Sequence, residues 1–233
     1  MPKILFVMTG ADHWTLADGT KHPTGFWAEE FVAPYEVFTE AGHEVVIATP
    51  GAVEPPVDPG SLGPDANGGQ ARADHIAEVL EEAAETLRNP IELARANPAD
   101  YAAVFYPGGH GPMEDLAVDA DSGELLTAAL NSGKPLGVVC HAPAALLATG
   151  PDSPFRGYRL TGFTNTEERQ AGLADNAKWL LQDRLVEFGV DFAEGEPWAA
   201  NVVVDRNLYT GQNPFSSEKL AARIVADVAR VRG

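Results

Sequence analysis

The segment Lys134-Pro-Leu-Gly-Val-Val-Cys-His-Ala-Pro143 decides the fold, because a buried strand in it stops abruptly and turns into a helix. The apolar run from Pro135 to Val139 does not alternate with polar residues, which is typical of a parallel strand covered on both faces. The stretch Ala144-Ala-Leu-Leu-Ala148 then favours a helix. A side chain on such a strand-to-helix turn stands at the top of the sheet, beside a helix N-terminus. Here that side chain belongs to Cys140.

Similar strand signals recur on both sides of this segment. The runs are short and rich in apolar or β-branched residues, and amphipathic stretches separate them. This alternation predicts an α/β fold with a doubly wound, mostly parallel sheet and right-handed crossovers. Ligand sites in such folds lie beyond the carboxyl ends of the strands. The predicted strands are Lys3 to Met8, His43 to Thr49, Ala102 to Tyr106, Pro135 to Val139, Val202 to Val204 and Leu208 to Thr210.

Three amphipathic stretches predict long helices. One runs from Ala28 to Ala41 and ends at Gly42, a residue suited to a helix C-terminus. Another, from Ala71 to Arg88, carries one apolar stripe. The last begins at Pro214, with Asn213 as its N-cap. The stripe residues are Ile76, Val79, Leu80, Ala83 and Leu87, and one face of the last helix holds Leu220, Ile224, Val228 and Val231.

The length of 233 residues suits a single domain over residues 1–233. Gly51 to Gly69 is rich in proline and glycine and predicts a loop, and a helical stretch follows it up to Asn97. This region is longer than a simple crossover requires. We therefore expect an inserted lid over about residues 51–97.

The composition excludes several classes of partner and compartment. The formal net charge of -18 repels phosphate backbones and anionic membrane surfaces, so we expect neither nucleic acid nor membrane as a partner. The single cysteine cannot form an intrachain disulfide. The apolar run near the N-terminus is too short for a membrane span and lacks a cleavage signal. We interpret it as the first strand of a cytoplasmic protein.

The position of Cys140 predicts a reactive thiol. A helix dipole and free amides at the turn would favour the thiolate, the form that attacks electrophiles. The alternative is an inert, buried cysteine that packs as a small apolar residue. The turn and the adjacent His141 favour reactivity.

A glycine-rich turn follows another predicted strand, in Tyr106-Pro-Gly-Gly-His-Gly-Pro112. Consecutive glycines allow a close approach of the backbone to a ligand. The amides of Gly109 and His141 could then form an oxyanion hole, although the turn alone could simply be flexible. It lacks the spacing of a dinucleotide or phosphate fingerprint, so we expect no nucleotide cofactor.

The positions of the six histidines limit which residue can act as the general base, because none of them follows residue 141. Nucleophile-elbow hydrolases commonly place their catalytic histidine downstream. The base must therefore be His141 itself, His110 or a histidine further upstream. His141 is the first choice because it is tethered beside the thiol.

Two carboxylates are candidates to assist this histidine, and each has a structural alternative. Glu168 could orient the imidazole, but Asn165 and Glu168 also fit a helix start that resembles a capping box. Glu30 would lie near a helix start and the site, yet complementarity to the helix dipole explains Glu29 and Glu30 equally well.

These residues together resemble the ThiJ/PfpI superfamily of class I glutamine amidotransferase-like proteins. Within it the chain is most similar to the heat-shock-chaperone-like branch that contains glyoxalase III enzymes. The likeness covers nearly the whole chain in the family's order. The matching motifs are Thr24-Gly-Phe-Trp-Ala-Glu-Glu30, Tyr106-Pro-Gly-Gly-His-Gly111, Gly137-Val-Val-Cys-His-Ala-Pro143, Leu160-Thr-Gly-Phe-Thr164 with Glu168, and Thr210-Gly-Gln-Asn-Pro214.

The resemblance implies a flavodoxin-like sheet sandwiched by helices, in a homodimer. It implies that Cys140 is the nucleophile, His141 its partner and Glu168 the third member, although Glu167 leaves the register open by one residue. Glu30 would contact the cysteine as a carboxylic acid or proton relay. The remaining candidates for the oxyanion and substrate contacts are Gly108, Gly109, His110 and Asn213.

Some relatives bind zinc through two histidines and a carboxylate. His13 and His22 are the residues that could attempt this, but their spacing does not suit a metal site. We therefore expect no metal and no other cofactor.

The resemblance implies conversion of methylglyoxal or a related 2-oxoaldehyde to a 2-hydroxy acid without glutathione, through a thiolate of Cys140. Alternatives on the same site are a protein deglycase and a cysteine peptidase or amidase. A holding chaperone and a cysteine oxidation sensor are alternatives of a different class.

Overall fold

The computed structural model describes residues 1–230, and its centre is a seven-stranded sheet. The strand order is β10-β11-β7-β6-β1-β4-β5, and every pair is parallel except β10 with β11. The strands are β1 Lys3–Val7, β2 His13–Thr15, β3 Lys21–Pro23, β4 Glu44–Thr49, β5 Ile91–Glu92, β6 Ala103–Tyr106, β7 Leu136–Val139, β8 Arg159–Leu160, β9 Asp191–Phe192, β10 Val202–Asp205 and β11 Leu208–Gly211. The predicted doubly wound α/β fold is confirmed.

The helices cover the sheet and supply most of the remaining core. Residues Phe31 and Phe38 of one helix pack edge-on against Phe6 of β1, with ring centroids 5.8 Å apart in both pairs. Such pairs fix the helix against the sheet by apolar burial. The α-helices are α1 Ala28–Glu40, α2 Gln70–Glu82, α3 Ala84–Arg88, α4 Gly111–Glu114, α5 Ala120–Asn131, α6 Asn165–Gln170, α7 Leu181–Phe188 and α8 Ser217–Arg230.

The six predicted strands coincide with β1, β4, β6, β7, β10 and β11 to within one residue at each end. Three strand features were not predicted: the β2–β3 hairpin, the edge strand β5, and the two-residue pair β8–β9. Strands of two or three residues are too short to show the period of two on which strand prediction depends.

Two helix predictions need correction. The stretch from Ala71 to Arg88 is divided at Ala83 into α2 and α3, although its stripe residues are buried except for the half-buried Leu80. The segment after Cys140 is a 3₁₀ helix, Ala142–Thr149, in which the amide of Ala144 donates to the carbonyl of His141. Pro143, which has no amide N–H, lies in its first turn.

The last helix begins with a 3₁₀ turn, Pro214–Ser216, before α8. Leu220, Ile224 and Val228 are buried as predicted, and Val231 lies outside the described residues. Asn213 occupies the N-cap position, but its side chain bonds no helix amide.

No helix within residues 1–230 is both long and apolar enough to cross a membrane.

Candidate active site

Cys140 immediately follows β7, at the carboxyl edge of the sheet where the fold places its ligand sites. Its φ is +59°, a left-handed conformation that is uncommon for a residue other than glycine. Two backbone hydrogen bonds hold it there: its amide donates to Gly211 (2.9 Å), and its carbonyl accepts from Phe163 (2.8 Å). A strained backbone conformation is retained only where the surrounding structure holds it in place. Such strain is typical of the nucleophile on a sharp strand-to-helix turn.

A hydrogen-bonded chain runs from this cysteine through His141 to Glu168. The sulfur lies 3.3 Å from Nδ1 of His141, and Nε2 of the same ring lies 2.6 Å from Oε2 of Glu168. All three side chains are buried. The carboxylate can only accept, so Nε2 carries the proton and the lone pair of Nδ1 faces the sulfur. His141 is therefore oriented to take the thiol proton.

Glu168 also binds His110, so one carboxylate serves two imidazoles. Nε2 of His110 lies 2.8 Å from Oε1 of Glu168, and the ring centroids of the two histidines are 3.9 Å apart. Burial acts to raise the pKa of Glu168, but the two histidines hold it below its usual range. Burial and the neighbouring His110 lower the pKa of His141. The group thus consists of an ionised carboxylate and a neutral His141, the form required of a base.

Glu30 approaches the cysteine from α1. Its Oε2 accepts a hydrogen bond of 2.7 Å from the amide of Gly108, and its buried Oε1 has no hydrogen-bond partner among residues 1–230. Burial raises the pKa of Glu30 to about 8, although bonding to Cys140 and to Gly108 acts in the opposite direction. At that pKa the side chain carries no negative charge at neutral pH, so complementarity of a charge to the helix dipole does not explain it. Glu29 instead pairs with Arg72.

Burial and the charge of an ionised Glu30 raise the pKa of the Cys140 thiol well above its usual range. This direction is opposite to the thiolate expected from the turn, because desolvation penalises the charged form of a side chain that is only 3% exposed. A hydrogen bond from the amide of Gly109 acts to lower the pKa. The resting sulfur is therefore a thiol that needs a base.

Gly108 and Gly109 must be glycines for the backbone to pass this close. A Cβ on Gly108 would lie 2.5 Å from the carbonyl oxygen of Val139 and 2.6 Å from Oε2 of Glu30. Gly109 has a φ of +98°. Within the described residues no oxygen accepts from the amides of Gly109 and His141. The Gly109 amide contacts the Cys140 sulfur, so both donors lie where an oxyanion on the attacked carbon would form.

The carboxylate next to Glu168 has a different role. Thr164 is the N-cap of α6, and Glu167 completes a capping box with it. The sequence expectation of a box between Asn165 and Glu168 was wrong by one residue, since the helix starts earlier. Glu167 therefore accepts the hydrogen bonds of the capping box at the start of α6, and Glu168 is left to bind the histidines.

Glu167 is also the centre of a buried network that supports the site. It accepts five hydrogen bonds, two from Thr164 and one each from Trp198, Gln212 and Asn213. Asn213 was expected to contact substrate. Its amide nitrogen instead donates to Glu167 and to the carbonyl of Ala199. The structure does not bring it into hydrogen-bond contact with Cys140, His141 or Glu168.

The histidines of the unpredicted hairpin do not form a metal site together. His13 lies against Asp12 and Glu114. His22 lies beside His110, with ring centroids 6.3 Å apart. The ligand atoms that could hold a metal, within the part of the chain described, are those of His110, His141 and Glu168, which here bond one another.

A cavity of about 970 Å³ opens beside this group, and His110 forms part of its wall. Aromatic residues that sequence reasoning missed surround the histidines. Trp14 of β2 stacks on His110 (5.0 Å between centroids), and Phe163 packs on His141 (4.3 Å). Trp27 and Trp198 line the cavity. Trp27 and Phe163 lie within the matching motifs, but one sequence does not distinguish an aromatic residue of a site from one of the core, where such residues are more often found.

Known proteins resemble this chain in both sequence and fold. The model of the DJ-1/PfpI family matches residues 23–227. Glyoxalase 3 of Candida albicans is 30% identical over 97% of this chain and 98% of its own length. The protein/nucleic acid deglycase HchA of Staphylococcus aureus is 26% identical over 97% of this chain and 80% of its own length. The crystal structure of glyoxalase III from Candida albicans superposes with a TM-score of 0.79, at 26% identity, over 97% of this chain and 96% of that one.

Proposed function

Because this chain belongs to the DJ-1/PfpI family, we propose that it is a cysteine-dependent, glutathione-independent glyoxalase. It converts methylglyoxal or a related 2-oxoaldehyde to a 2-hydroxy acid. The observation that carries the proposal is the contact of the Cys140 sulfur with Nδ1 of His141, itself held by Glu168, opposite the buried acid Glu30. The similarity to Glyoxalase 3 over nearly the full length of both chains supports this reaction.

The first step is addition of the sulfur to the aldehyde carbon. Nδ1 of His141 takes the thiol proton as the S–C bond forms, and the aldehyde oxygen becomes the oxygen of a hemithioacetal. The amides of Gly109 and His141 are the donors available to that oxygen while it carries charge. Glu30, protonated below pH about 8, does not repel the anion formed beside it.

The second stage is an internal transfer of hydrogen from C1 to C2. Removal of the C1 proton and protonation of the ketone oxygen give an enediol. Protonation of C2 and loss of the proton from the hydroxyl group on C1 then give the thioester of a 2-hydroxy acid. His141 and Glu30 carry these protons. Water hydrolyses the thioester, which releases the acid and returns the thiol. The aldehyde carbon is oxidised and the ketone carbon reduced, so no redox cofactor takes part.

The direct test is formation of lactate from methylglyoxal without glutathione, by the wild type and by Cys140→Ala. We expect turnover by the wild type alone. Equal rates in the two proteins would reject the proposal.

A second candidate function is removal of 2-oxoaldehyde adducts from proteins or nucleic acids. The relative from Staphylococcus aureus that is named a deglycase favours it, and the same sulfur could attack the adduct carbon. Release of the amine from a glycated peptide, compared with 2-oxoaldehyde turnover on one preparation, separates the two. Peptide-bond cleavage in the same assay would indicate a peptidase instead.

The homodimer remains a prediction of the family resemblance, to be tested by sedimentation, and the cytoplasmic compartment remains a prediction from the N-terminal sequence, to be tested by fractionation. Chaperone activity predicts that suppression of client aggregation survives Cys140→Ala. An oxidation sensor predicts selective conversion of Cys140 to a sulfinic acid without turnover.

A further inference from the structure

The walls of the cavity beside His110 are mainly aromatic and apolar. Trp27, Trp198 and Phe215 face it from three different segments, with Leu173 and several prolines between them. Its volume of about 970 Å³ far exceeds what a three-carbon aldehyde fills; sites of about 300–1,000 Å³ hold drug-sized ligands. Apolar walls of this area contribute to binding only when the ligand carries a substituent large enough to remove them from water.

The cavity carries negative charge. Its charged lining groups in the described structure are Asp58 and Asp65, and neither lysine nor arginine lines it. Asp58 is held in place by the hydroxyl of Thr24 (2.6 Å) and the amide of Gly60 (2.7 Å). Burial and the nearby His110 lower the pKa of His22, so this ring supplies no compensating cation at neutral pH. An anionic substituent would enter against this field.

We propose that the cavity selects 2-oxoaldehydes that carry an uncharged, aryl-sized substituent, and that it disfavours anionic ones. This inference rests on the proposed function, because it assigns the substrate class of that site. It has a consequence for release of the product. The 2-hydroxy acid is an anion, so the same carboxylates that disfavour anionic substrates favour its departure.

The kinetic test compares phenylglyoxal, methylglyoxal and 4-carboxyphenylglyoxal on the wild type at low ionic strength. We expect kcat/KM for phenylglyoxal to exceed that for each of the other two by about tenfold or more, which corresponds to about 1.4 kcal/mol of differential binding. The penalty on the carboxylated substrate should shrink as salt is added. A preference for methylglyoxal, or equal turnover of the neutral and carboxylated aryl substrates, would overturn the inference.

Two variants locate the effect within the cavity. Asp65→Lys should raise kcat/KM for 4-carboxyphenylglyoxal relative to phenylglyoxal by about fivefold, whereas Asp152→Lys changes the net charge identically at an exposed residue outside the cavity and should not. Phe215→Ala should reduce the preference for phenylglyoxal over methylglyoxal. Val186→Ala is its control, because Val186 is 54% exposed and Phe215 53%, but only Phe215 lines the cavity.

Binding to Cys140→Ala distinguishes failure of this inference from failure of the proposed function. The variant cannot react, so saturable quenching of tryptophan fluorescence by 2-hydroxyacetophenone and by mandelate reports binding without chemistry; two of the four tryptophans, Trp27 and Trp198, line the cavity. Tighter binding of the neutral ketone supports the inference even if no 2-oxoaldehyde is turned over. Equal binding, or tighter binding of mandelate, contradicts it whatever the outcome of the turnover assay.

Discussion

The buried carboxyl group of Glu30 accepts a hydrogen bond of 2.7 Å from the amide of Gly108, so an acid of α1 is fastened to the turn after β6 beside the nucleophile. Burial raises the pKa of this acid to about 8. A carboxyl group that is protonated near neutral pH can both donate and recover a proton during the reaction. The same burial destabilises the folded protein when the Glu30 carboxyl group is ionised.

Replacement of Glu30 by glutamine should separate proton transfer from thiol ionisation. Glu30→Gln keeps the shape of the neutral acid but cannot release a proton, so kcat should fall by about 100-fold. It also removes the charge that repels the thiolate. The rate of alkylation of Cys140 should therefore reach half its maximum at a pH lower than in the wild type, by about one unit.

The control is Glu29→Gln, which removes a neighbouring carboxylate that pairs with Arg72. It should leave both kcat and the alkylation profile within about twofold of the wild type. A similar loss of activity in the two variants would contradict the assignment of Glu30 as a proton carrier.

The stability of the protein should depend on pH through the same residue. The folded pKa of Glu30 is about 8 and the ordinary value is 4.5, so the folded state binds this proton more tightly than the unfolded state does. The contribution of this proton to the free energy of unfolding is fully present below pH 4.5 and is lost as the pH rises towards 8. Glu30→Gln should thus gain several kcal/mol in its free energy of unfolding, relative to wild type, between pH 5 and pH 8. Urea denaturation under reducing conditions measures this difference, and a constant difference across that range would refute it.

The adjacent residues Glu167 and Glu168 should respond to the same substitution in different ways. Glu168→Gln removes the charge that orients His141, and kcat should fall by about 100-fold or more while the folded state is retained. Glu167→Gln disturbs a carboxylate that accepts five hydrogen bonds. Its free energy of unfolding should fall by about 2–3 kcal/mol, because buried donors lose their acceptor.

The measurements are steady-state kinetics on protein confirmed to be folded, together with chemical denaturation. If Glu167→Gln were stable and inactive while Glu168→Gln remained active, the register of the site would be wrong by one residue.

Alanine at Gly108 should damage the site by steric exclusion. A Cβ there would meet the carbonyl oxygen of Val139 and the carboxylate of Glu30 at 2.5 and 2.6 Å. We expect loss of about 100-fold or more in kcat/KM and a lower melting temperature. Gly133→Ala is the control: it introduces a side chain at a φ of +71° with nothing within 4 Å, so it should cost only about 1 kcal/mol of stability and no activity. Wild-type activity in Gly108→Ala would show that the turn does not support the chemistry.

Much of the fold and part of the candidate site could be predicted from the sequence, because the signals are local. The unbroken apolar runs of β1, β4, β6 and β7 mark parallel strands, and Cys140 at the end of one of them marks the carboxyl edge. The stripe of α2 follows the helical period. Features without a local period were missed, including the β2–β3 hairpin that brings Trp14 onto His110.

The sequence by itself determined that a lone cysteine and its neighbouring histidine stand on a strand-to-helix turn, since both facts lie within one short segment. Only the tertiary structure decided which carboxylate serves them, that His110 shares it, that Glu30 is protonated near neutral pH, and that the thiol is not ionised at rest. Each of these depends on distances between residues far apart in the chain and on burial. Solvation and electrostatics arise from the assembled surroundings and from no single segment.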